Sequence, residues 1–195
     1  MRRASLLLAL ALAGLGAQPL NQRDREFALS HLHATRKLFL DSIDGLSEAQ
    51  WKFKPGPDRW SIAECAEHVA LSEDFMFRRV QAMLKSPPAG DRKAAVKDEQ
   101  ALGWMRDRSQ KAKNSSATQP AGRWASPAQL SRYFKERRDQ TLDYVRATQD
   151  ALRSYFDGTG AKALDACQWL LLIAGHTERH VAQINETKSD PSFPE

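Results

Sequence analysis

Hydrophobic side chains recur at helical spacing along most of this chain, and no segment alternates apolar and polar positions as a strand would. In the first helical segment they build one wide apolar face, which consists of Phe27, Leu29, Leu32, Ala34, Leu38, Leu40 and Ile43. The pattern predicts four long helices, at about residues 21–46, 62–85, 127–156 and 163–186.

Polar residues with capping potential mark where several of these helices begin. Ser61 and Glu64, three residues apart, form a capping-box pattern at the start of the second helix. Ser126 precedes Pro127, which suits the first position of the third helix because proline has no N–H to leave unpaired. A shorter box at Ser47 predicts an extra turn of helix after the first long one.

The segment between the second and third helices is the least regular part of the chain. A short helical stretch is predicted over about residues 94–108, followed by a polar loop at 113–120 that offers no side chains for a core. The sequence thus predicts an all-α four-helix bundle, with a short extra helix and a long loop between helices two and three. This bundle domain spans residues 21–188, and residues 189–195 form a flexible tail.

Residues 1–17 have the pattern of a secretory signal peptide, which predicts an exported protein in the periplasm or outside the cell. A basic start, Met1–Arg3, precedes an apolar stretch and small residues that end at Ala17. The apolar stretch is too short to span a bilayer, which needs roughly 20 residues. Leu15 stands where cleavage prefers a small residue, so an uncleaved anchor is the alternative.

Composition and charge narrow the class of protein. The chain has 195 residues, 42% of them hydrophobic and 27% charged, as expected of one soluble domain with a hydrophobic core. The 29 Lys and Arg against 24 Asp and Glu give a formal charge of +5, and loss of Arg2 and Arg3 with the signal would lower it to +3. Because the signs are interspersed and no basic run occurs, we expect no nucleic acid among the partners.

Two histidines on the last helix are the first candidates for chemistry. His176 and His180 are four residues apart, on a face whose apolar neighbours point it into the bundle. Two inward imidazoles at this spacing can hold one transition metal ion; the alternative is a pair of core histidines with protein partners. His68, two turns into the second helix, resembles a partly exposed helix residue by its spacing alone, and His31 and His33 are ordinary helix residues.

Three stretches make the chain recognisable, namely Leu46–Trp51, Trp60–Val69 and Gly175–Ile184. In these the sequence resembles the DinB-like (DNA-damage-inducible) superfamily of metal-binding four-helix bundles, over roughly residues 21–186. The resemblance implies an up-down-down-up helix order and one divalent transition metal ion, typically nickel or zinc. It also implies the metal ligands, which by position are His68, His176 and His180.

Further residues are candidates for the surroundings of this metal. Gln183 could steady an imidazole or be a surface amide, and Trp60 and Trp169 could line a pocket or belong to the core. Cys65 lies near the site, with a ligand role as the minor alternative. In the antiparallel arrangement that the resemblance implies, Cys65 and Cys167 are offset by roughly 18 Å, so we expect two free thiols.

The three ligands that the resemblance implies would leave a coordination position open, as in catalytic metal sites, so we expect a metal-dependent hydrolase or small-molecule transferase of unknown substrate. A non-catalytic metal- or ligand-binding protein of the envelope is the alternative. The expected partner is a small-molecule substrate or ligand and not nucleic acid. We expect no stable membrane anchor after cleavage, and a homodimer is an open alternative to a monomer. The sequence identifies no general base beyond the water that such a metal would activate.

Overall fold

The computed structural model describes residues 18–109, 115–160 and 163–195, and the predicted signal peptide at 1–17 lies outside the described residues. The described residues form six α-helices: α1 Gln22–Ile43, α2 Glu48–Lys52, α3 Ile62–Met83, α4 Asp98–Arg106, α5 Pro127–Ala147 and α6 Ala166–Lys188. Their other elements are the 3₁₀ turns Ser116–Thr118 and Leu152–Ser154 and the strands β1 Phe156–Asp157 and β2 Leu164–Asp165. Within these ranges, no helix has both the length and the apolar composition needed to cross a membrane.

The predicted capping residues begin their helices as expected. The Ser61 side chain accepts a hydrogen bond from the Glu64 N–H, and the Glu64 carboxylate accepts one from the Ser61 N–H. The shorter box at Ser47 is also present and opens α2. Ser126 caps α5, with Pro127 at its start. Each cap accepts a hydrogen bond from a backbone N–H of the first turn, which has no carbonyl of an earlier turn as its partner. The start of each of these helices is therefore decided by residues within one turn.

The end of α5 differs from the prediction because side chains compete for the backbone. α5 ends at Ala147 and not near residue 156, since Thr148 takes an extended conformation and its hydroxyl bonds with Asp150. The chain then forms a 3₁₀ turn and the antiparallel pair of β1 and β2. The expectation of no strands is corrected to this extent, because two-residue strands are too short to leave an alternating pattern in the sequence.

The apolar face of α1 is rotated from the predicted one. Leu38 is 47% exposed and Ala34 also faces solvent, whereas Phe39 is fully buried. The helix packs against both α5 and α6, and its buried stripe follows a spacing of three or four residues. That stripe consists of Ala28, Leu32, Thr35, Phe39 and Ile43, with Ser42 beside it.

α1, α3, α5 and α6 form the four-helix bundle, and the predicted up-down-down-up order is confirmed. The start of α3 lies against the end of α6, and α1 and α5 are antiparallel in the same way. α1 and α6 run parallel, since both pass from one hydrophobic cluster to the other in chain order. The short extra helix α4 packs against α6.

Two hydrophobic clusters separated by a buried polar layer make up the core. The first cluster gathers the start of α6 with the ends of α3 and α5, and the second gathers the end of α6 with their starts. Between them, Arg138 pairs with Glu73, and neither side chain is more than 1% exposed. This ion-pair layer is completed by three hydroxyls, those of Thr35, Thr141 and Thr177. All four bundle helices therefore contribute a side chain to this layer. The contribution of α6 is Thr177, which directly follows His176 in the chain.

Candidate metal centre

Three histidine side chains meet between α3 and α6. His68 from α3 and His176 and His180 from α6 each offer a ring nitrogen within 4.8 Å of those of the other two. The Nε2 atoms of His68 and His176 are 3.1 Å apart, and the three ring centroids are separated by 4.5 to 4.9 Å. All three residues are buried, at 9% exposure or less, including His68, which its spacing alone placed near the surface. We call this group the three-histidine cluster.

Hydrogen bonds determine which ring nitrogen carries the proton in two of these imidazoles. The Nδ1 atom of His68 lies 2.9 Å from the Thr118 carbonyl oxygen, which can only accept, so this Nδ1 carries a proton. The Nδ1 atom of His180 lies 3.0 Å from Gln183 Oε1 and donates in the same way. In a neutral imidazole with a proton on Nδ1, Nε2 keeps its lone pair. Both rings therefore have an unprotonated Nε2 that can act as a ligand.

The cluster fits a divalent transition metal ion in spacing and in donor type. Histidine nitrogens bind zinc at about 2.0–2.1 Å, so two nitrogens of a tetrahedral site lie about 3.3 Å apart. The 3.1 Å between the Nε2 atoms of His68 and His176 is close to this separation, and it also suits a direct hydrogen bond if His176 is protonated on Nε2. Imidazole donors suit divalent transition metals such as zinc, nickel, copper and iron.

Burial holds the three imidazoles in their neutral form. Burial lowers the pKa of His68, although the hydrogen bond to Thr118 acts in the opposite direction. Burial also lowers the pKa of His176 well below its usual range, and the neighbouring His180 and His68 lower it further. The pKa of His180 falls to about 3, again mainly through burial. Because histidine binds metals as the neutral imidazole, the cluster needs to release no protons to do so near pH 7.

Residues 31–184, which include all three histidines, match the DinB superfamily. The chain belongs to the DinB superfamily. The match extends from within α1 to within α6, so it covers the whole DinB bundle apart from the outer ends of these two helices.

Two proteins of Bacillus subtilis are similar to this member of the DinB superfamily. YuaE, an uncharacterized protein, is 25% identical over 149 residues, which are 76% of this chain and 89% of YuaE. The solved structure of YfiT is described as a probable metal-dependent hydrolase with an unusual four-helix bundle topology. It superposes with a TM-score of 0.59 at 15% identity, over 90% of this chain and 91% of YfiT. At that identity, the likeness to YfiT shows a shared fold.

Three of the predicted neighbours do lie beside the histidines of the DinB bundle. The Trp60 ring centroid is 5.0 Å from that of His68, and the ring is stacked on His180 at 6.3 Å. Gln183 holds His180 from the outside of the cluster. The Cys65 thiol lies 3.6 Å from Nδ1 of His180 and donates to the carbonyl of the same residue. Cys65 thus contacts a candidate ligand without being part of the three-histidine cluster. Burial raises the pKa of the Cys65 thiol.

Other predicted residues of the DinB bundle lie elsewhere. Trp169, a candidate for the pocket wall, packs against the first hydrophobic cluster instead. Cys167 is buried in the same cluster, and both cysteines are free thiols, as expected. His31 packs edge-on against an aromatic ring one turn earlier, and His33 contacts Arg146 on α5. These two histidines are therefore ordinary helix residues.

Two buried residues near the site were not predicted. Thr118 is buried, in a segment that resembled an exposed polar loop, and its carbonyl accepts the hydrogen bond from His68. Glu67 is only 3% exposed, and its carboxylate accepts hydrogen bonds from the backbone of residues 121–123. A backbone carbonyl leaves no signal in a sequence. Glu67 did leave a signal, since it is a charged residue that stands between the apolar Ala66 and the candidate ligand His68.

Proposed function

We propose that this chain holds one divalent transition metal ion, zinc or nickel, through His68, His176 and His180 and acts as a metal-dependent hydrolase or small-molecule transferase. The observation that carries the proposal is the convergence of three neutral imidazoles in one buried group, two of them with Nδ1 already bonded to an acceptor. Structural metal sites usually have four protein ligands, whereas three leave a position for water or substrate. The description of YfiT as a probable metal-dependent hydrolase supports the same chemistry.

When bound, a divalent cation would supply Lewis-acid polarisation of a substrate oxygen and would make water more acidic. The residues of this chain prepare the site for it. Two rigid helices, α3 and α6, carry the ligands, and the acceptors at Thr118 and Gln183 keep the rings of His68 and His180 from turning. The Trp60 ring covers one side of the cluster, where it contacts the rings of His68 and His180.

A non-catalytic role in binding a metal or a ligand is the second candidate, and one observation favours it. Among the residues that the structure describes, the group around the histidines contains no carboxylate. The acidic side chain next to His68, that of Glu67, is turned toward residues 121–123 and occupied by them. The Cys65 thiol is buried with a raised pKa. Neither group is therefore available as a general base.

We infer export to the periplasm or the outside of the cell from the basic start and apolar stretch within residues 1–17. The interspersed charges favour a small-molecule partner over nucleic acid. Cell fractionation of the tagged full chain tests export, and full-length protein confined to the cytoplasm would refute it. Light scattering on the purified protein decides between a monomer and a homodimer.

Metal analysis of the purified protein tests the metal site. The wild type should hold about one equivalent of zinc or nickel for its three ligands. His68→Ala and His176→Ala should lose that metal. His33→Ala is the matched control, since His33 is an exposed histidine of α1 and should leave the metal content unchanged. A wild type that takes up neither metal, or equal metal content in all four proteins, would refute the site.

A substrate panel separates the enzyme from the binding protein. Esters, amides and thiol conjugates of small molecules should be offered to the metal-loaded protein and to the chelator-treated protein. Turnover that disappears with the chelator and returns with one added metal supports the enzyme. A fully loaded protein that turns over no member of the panel supports the binding role instead.

A further inference from the structure

Glu67, next to His68 on α3, anchors a loop with its carboxylate. Its Oε1 accepts a hydrogen bond from the Ala121 N–H at 2.9 Å, and Oε2 accepts from the N–H groups of Gly122 and Arg123 at 2.8 and 3.2 Å. The Arg123 guanidinium pairs with Oε1 as well. Donors from three consecutive residues thus satisfy both oxygens of a side chain that is only 4% exposed.

Gly122 allows the backbone conformation on which this anchor depends. Its φ of +74° lies in the left-handed region, and such a backbone lets successive N–H groups turn toward one anion. No atom lies within 4 Å of the place that a Cβ would take, so backbone conformation, and not lack of space, requires a glycine here. A residue with a side chain would strain the loop and draw its N–H groups away from Glu67.

The anchored loop is the one that carries the Thr118 carbonyl. Thr118 is 4% exposed, closes a 3₁₀ turn, and accepts the hydrogen bond from Nδ1 of His68 at 2.9 Å. Arg123 connects the two places, because its Nη1 bonds the carboxylate of Glu67 and also the Gln119 carbonyl at 3.1 Å. A continuous set of bonds therefore runs from the carboxylate of Glu67 to the imidazole of the next residue along α3.

We propose that Glu67 is a positioning residue for the metal centre, because it holds residues 118–123 where the Thr118 carbonyl keeps the proton of His68 on Nδ1. If the loop moves away, the proton can pass to Nε2 or the ring can turn, and either change removes the Nε2 lone pair from the cluster. The effect on metal affinity rests on the proposed function; the effect on the tautomer of His68 does not need a metal.

Two variants separate positioning from charge. Glu67→Gln keeps the size of the side chain and removes its charge and part of its accepting capacity. Gly122→Ala keeps every charge and disturbs the loop through its φ alone. Asp74→Asn is the matched control, since it removes a carboxylate of the same helix that pairs with Arg78 one turn later.

Two readouts are needed. Nitrogen-15 NMR of histidine-labelled, metal-free protein reports which ring nitrogen of His68 is protonated, and competition with a chromophoric chelator gives the affinity for Zn²⁺. The wild type and Asp74→Asn should show the proton of His68 on Nδ1. In Glu67→Gln and Gly122→Ala the Nε2–H form should appear, and the dissociation constant for Zn²⁺ should rise about 10–100-fold.

If His68 keeps its Nδ1 proton in both Glu67→Gln and Gly122→Ala, Glu67 does not position His68 and the proposal is overturned. Weaker Zn²⁺ binding in Glu67→Gln with an unchanged Gly122→Ala would assign the effect to charge and would also overturn it. If the wild type binds no Zn²⁺, the proposed function fails, and NMR of the metal-free protein still decides the positioning. If Glu67→Gln does not fold, Gly122→Ala decides by both readouts.

Discussion

Arg138 on α5 and Glu73 on α3 form a bidentate ion pair in which every guanidinium N–H has an acceptor. Nε and Nη2 bond the two carboxylate oxygens at 2.9 and 2.7 Å, and the remaining donors reach the Leu32 carbonyl and the hydroxyls of Thr35 and Thr177. The pair joins all four bundle helices between the two hydrophobic clusters. Complete hydrogen bonding is what makes two fully buried charges tolerable there.

Breaking this pair from one side should be costly. Arg138→Met is expected to lower the free energy of unfolding by about 3–5 kcal/mol, because it leaves the Glu73 carboxylate buried without a counter-charge. Adding Glu73→Leu should recover much of that loss. Urea unfolding followed by circular dichroism measures both. Arg36→Met, at a pair with 30% and 53% side-chain exposure, is the control. It should cost under about 1 kcal/mol, and an equal cost at both sites would contradict the role of the buried pair.

A glycine of α6 leaves room for α4. A Cβ at Gly175 would stand 3.0 Å from the Met105 Cβ and 3.2 Å from the Leu102 carbonyl oxygen. Gly175→Ala is therefore expected to destabilise the fold by about 1–3 kcal/mol, despite the better helix propensity of alanine. Gly103→Ala, at a helical site with nothing within 4 Å, should stabilise it by up to about 1 kcal/mol. Thermal unfolding should show opposite signs for the two variants, and equal signs would contradict the steric account.

A metal ion that binds only the folded chain should stabilise it by mass action. With free zinc at 100 times its dissociation constant, the expected gain is about 2.7 kcal/mol. His176→Ala should abolish this gain, whereas His33→Ala, on the exposed side of α1, should keep it. Differential scanning fluorimetry with zinc and then with a chelator is the measurement. A zinc-dependent shift of the same size in His176→Ala would place the bound ion elsewhere.

Glu64, at the start of α3, makes a small pH-dependent contribution to the free energy of unfolding. Burial by itself would raise its pKa, but hydrogen bonds from the Lys54 ammonium and the Ser61 N–H bring the pKa below the ordinary 4.5. A carboxyl with a lower pKa in the folded chain adds stability above its unfolded pKa and loses it as the pH falls through the folded value. Glu64→Gln keeps the capping pattern and removes the charge.

We therefore expect Glu64→Gln to lower the free energy of unfolding at pH 7 by less than about 1 kcal/mol, since the group is partly exposed and screened. The difference from the wild type should shrink as the pH falls below 4.5. Urea unfolding at a series of pH values checks this. A difference that grows toward acid pH would show that the sign of the pKa shift is wrong.

Where a helix begins is decided locally in this chain, but which way it faces is not. Ser61 and Ser126 predict where α3 and α5 begin, because a cap needs only residues within one turn of the helix. The predicted apolar face of α1 contains Leu38 and omits Phe39, yet Leu38 is 47% exposed and Phe39 is buried. Both side chains are apolar, and only the packing of α1 against α5 and α6 distinguishes them.

A four-residue spacing on a helix places His176 and His180 on one face, and the apolar neighbours on that face point it into the bundle. The sequence pointed to His68 only through the resemblance to the DinB-like superfamily. Tertiary structure decided the rest, and above all that the imidazole of His68 meets the Thr118 carbonyl, 50 residues further along the chain. Every residue carries the same backbone carbonyl, so no pattern of side chains can single one out; the fold selects it by placing it within reach of Nδ1.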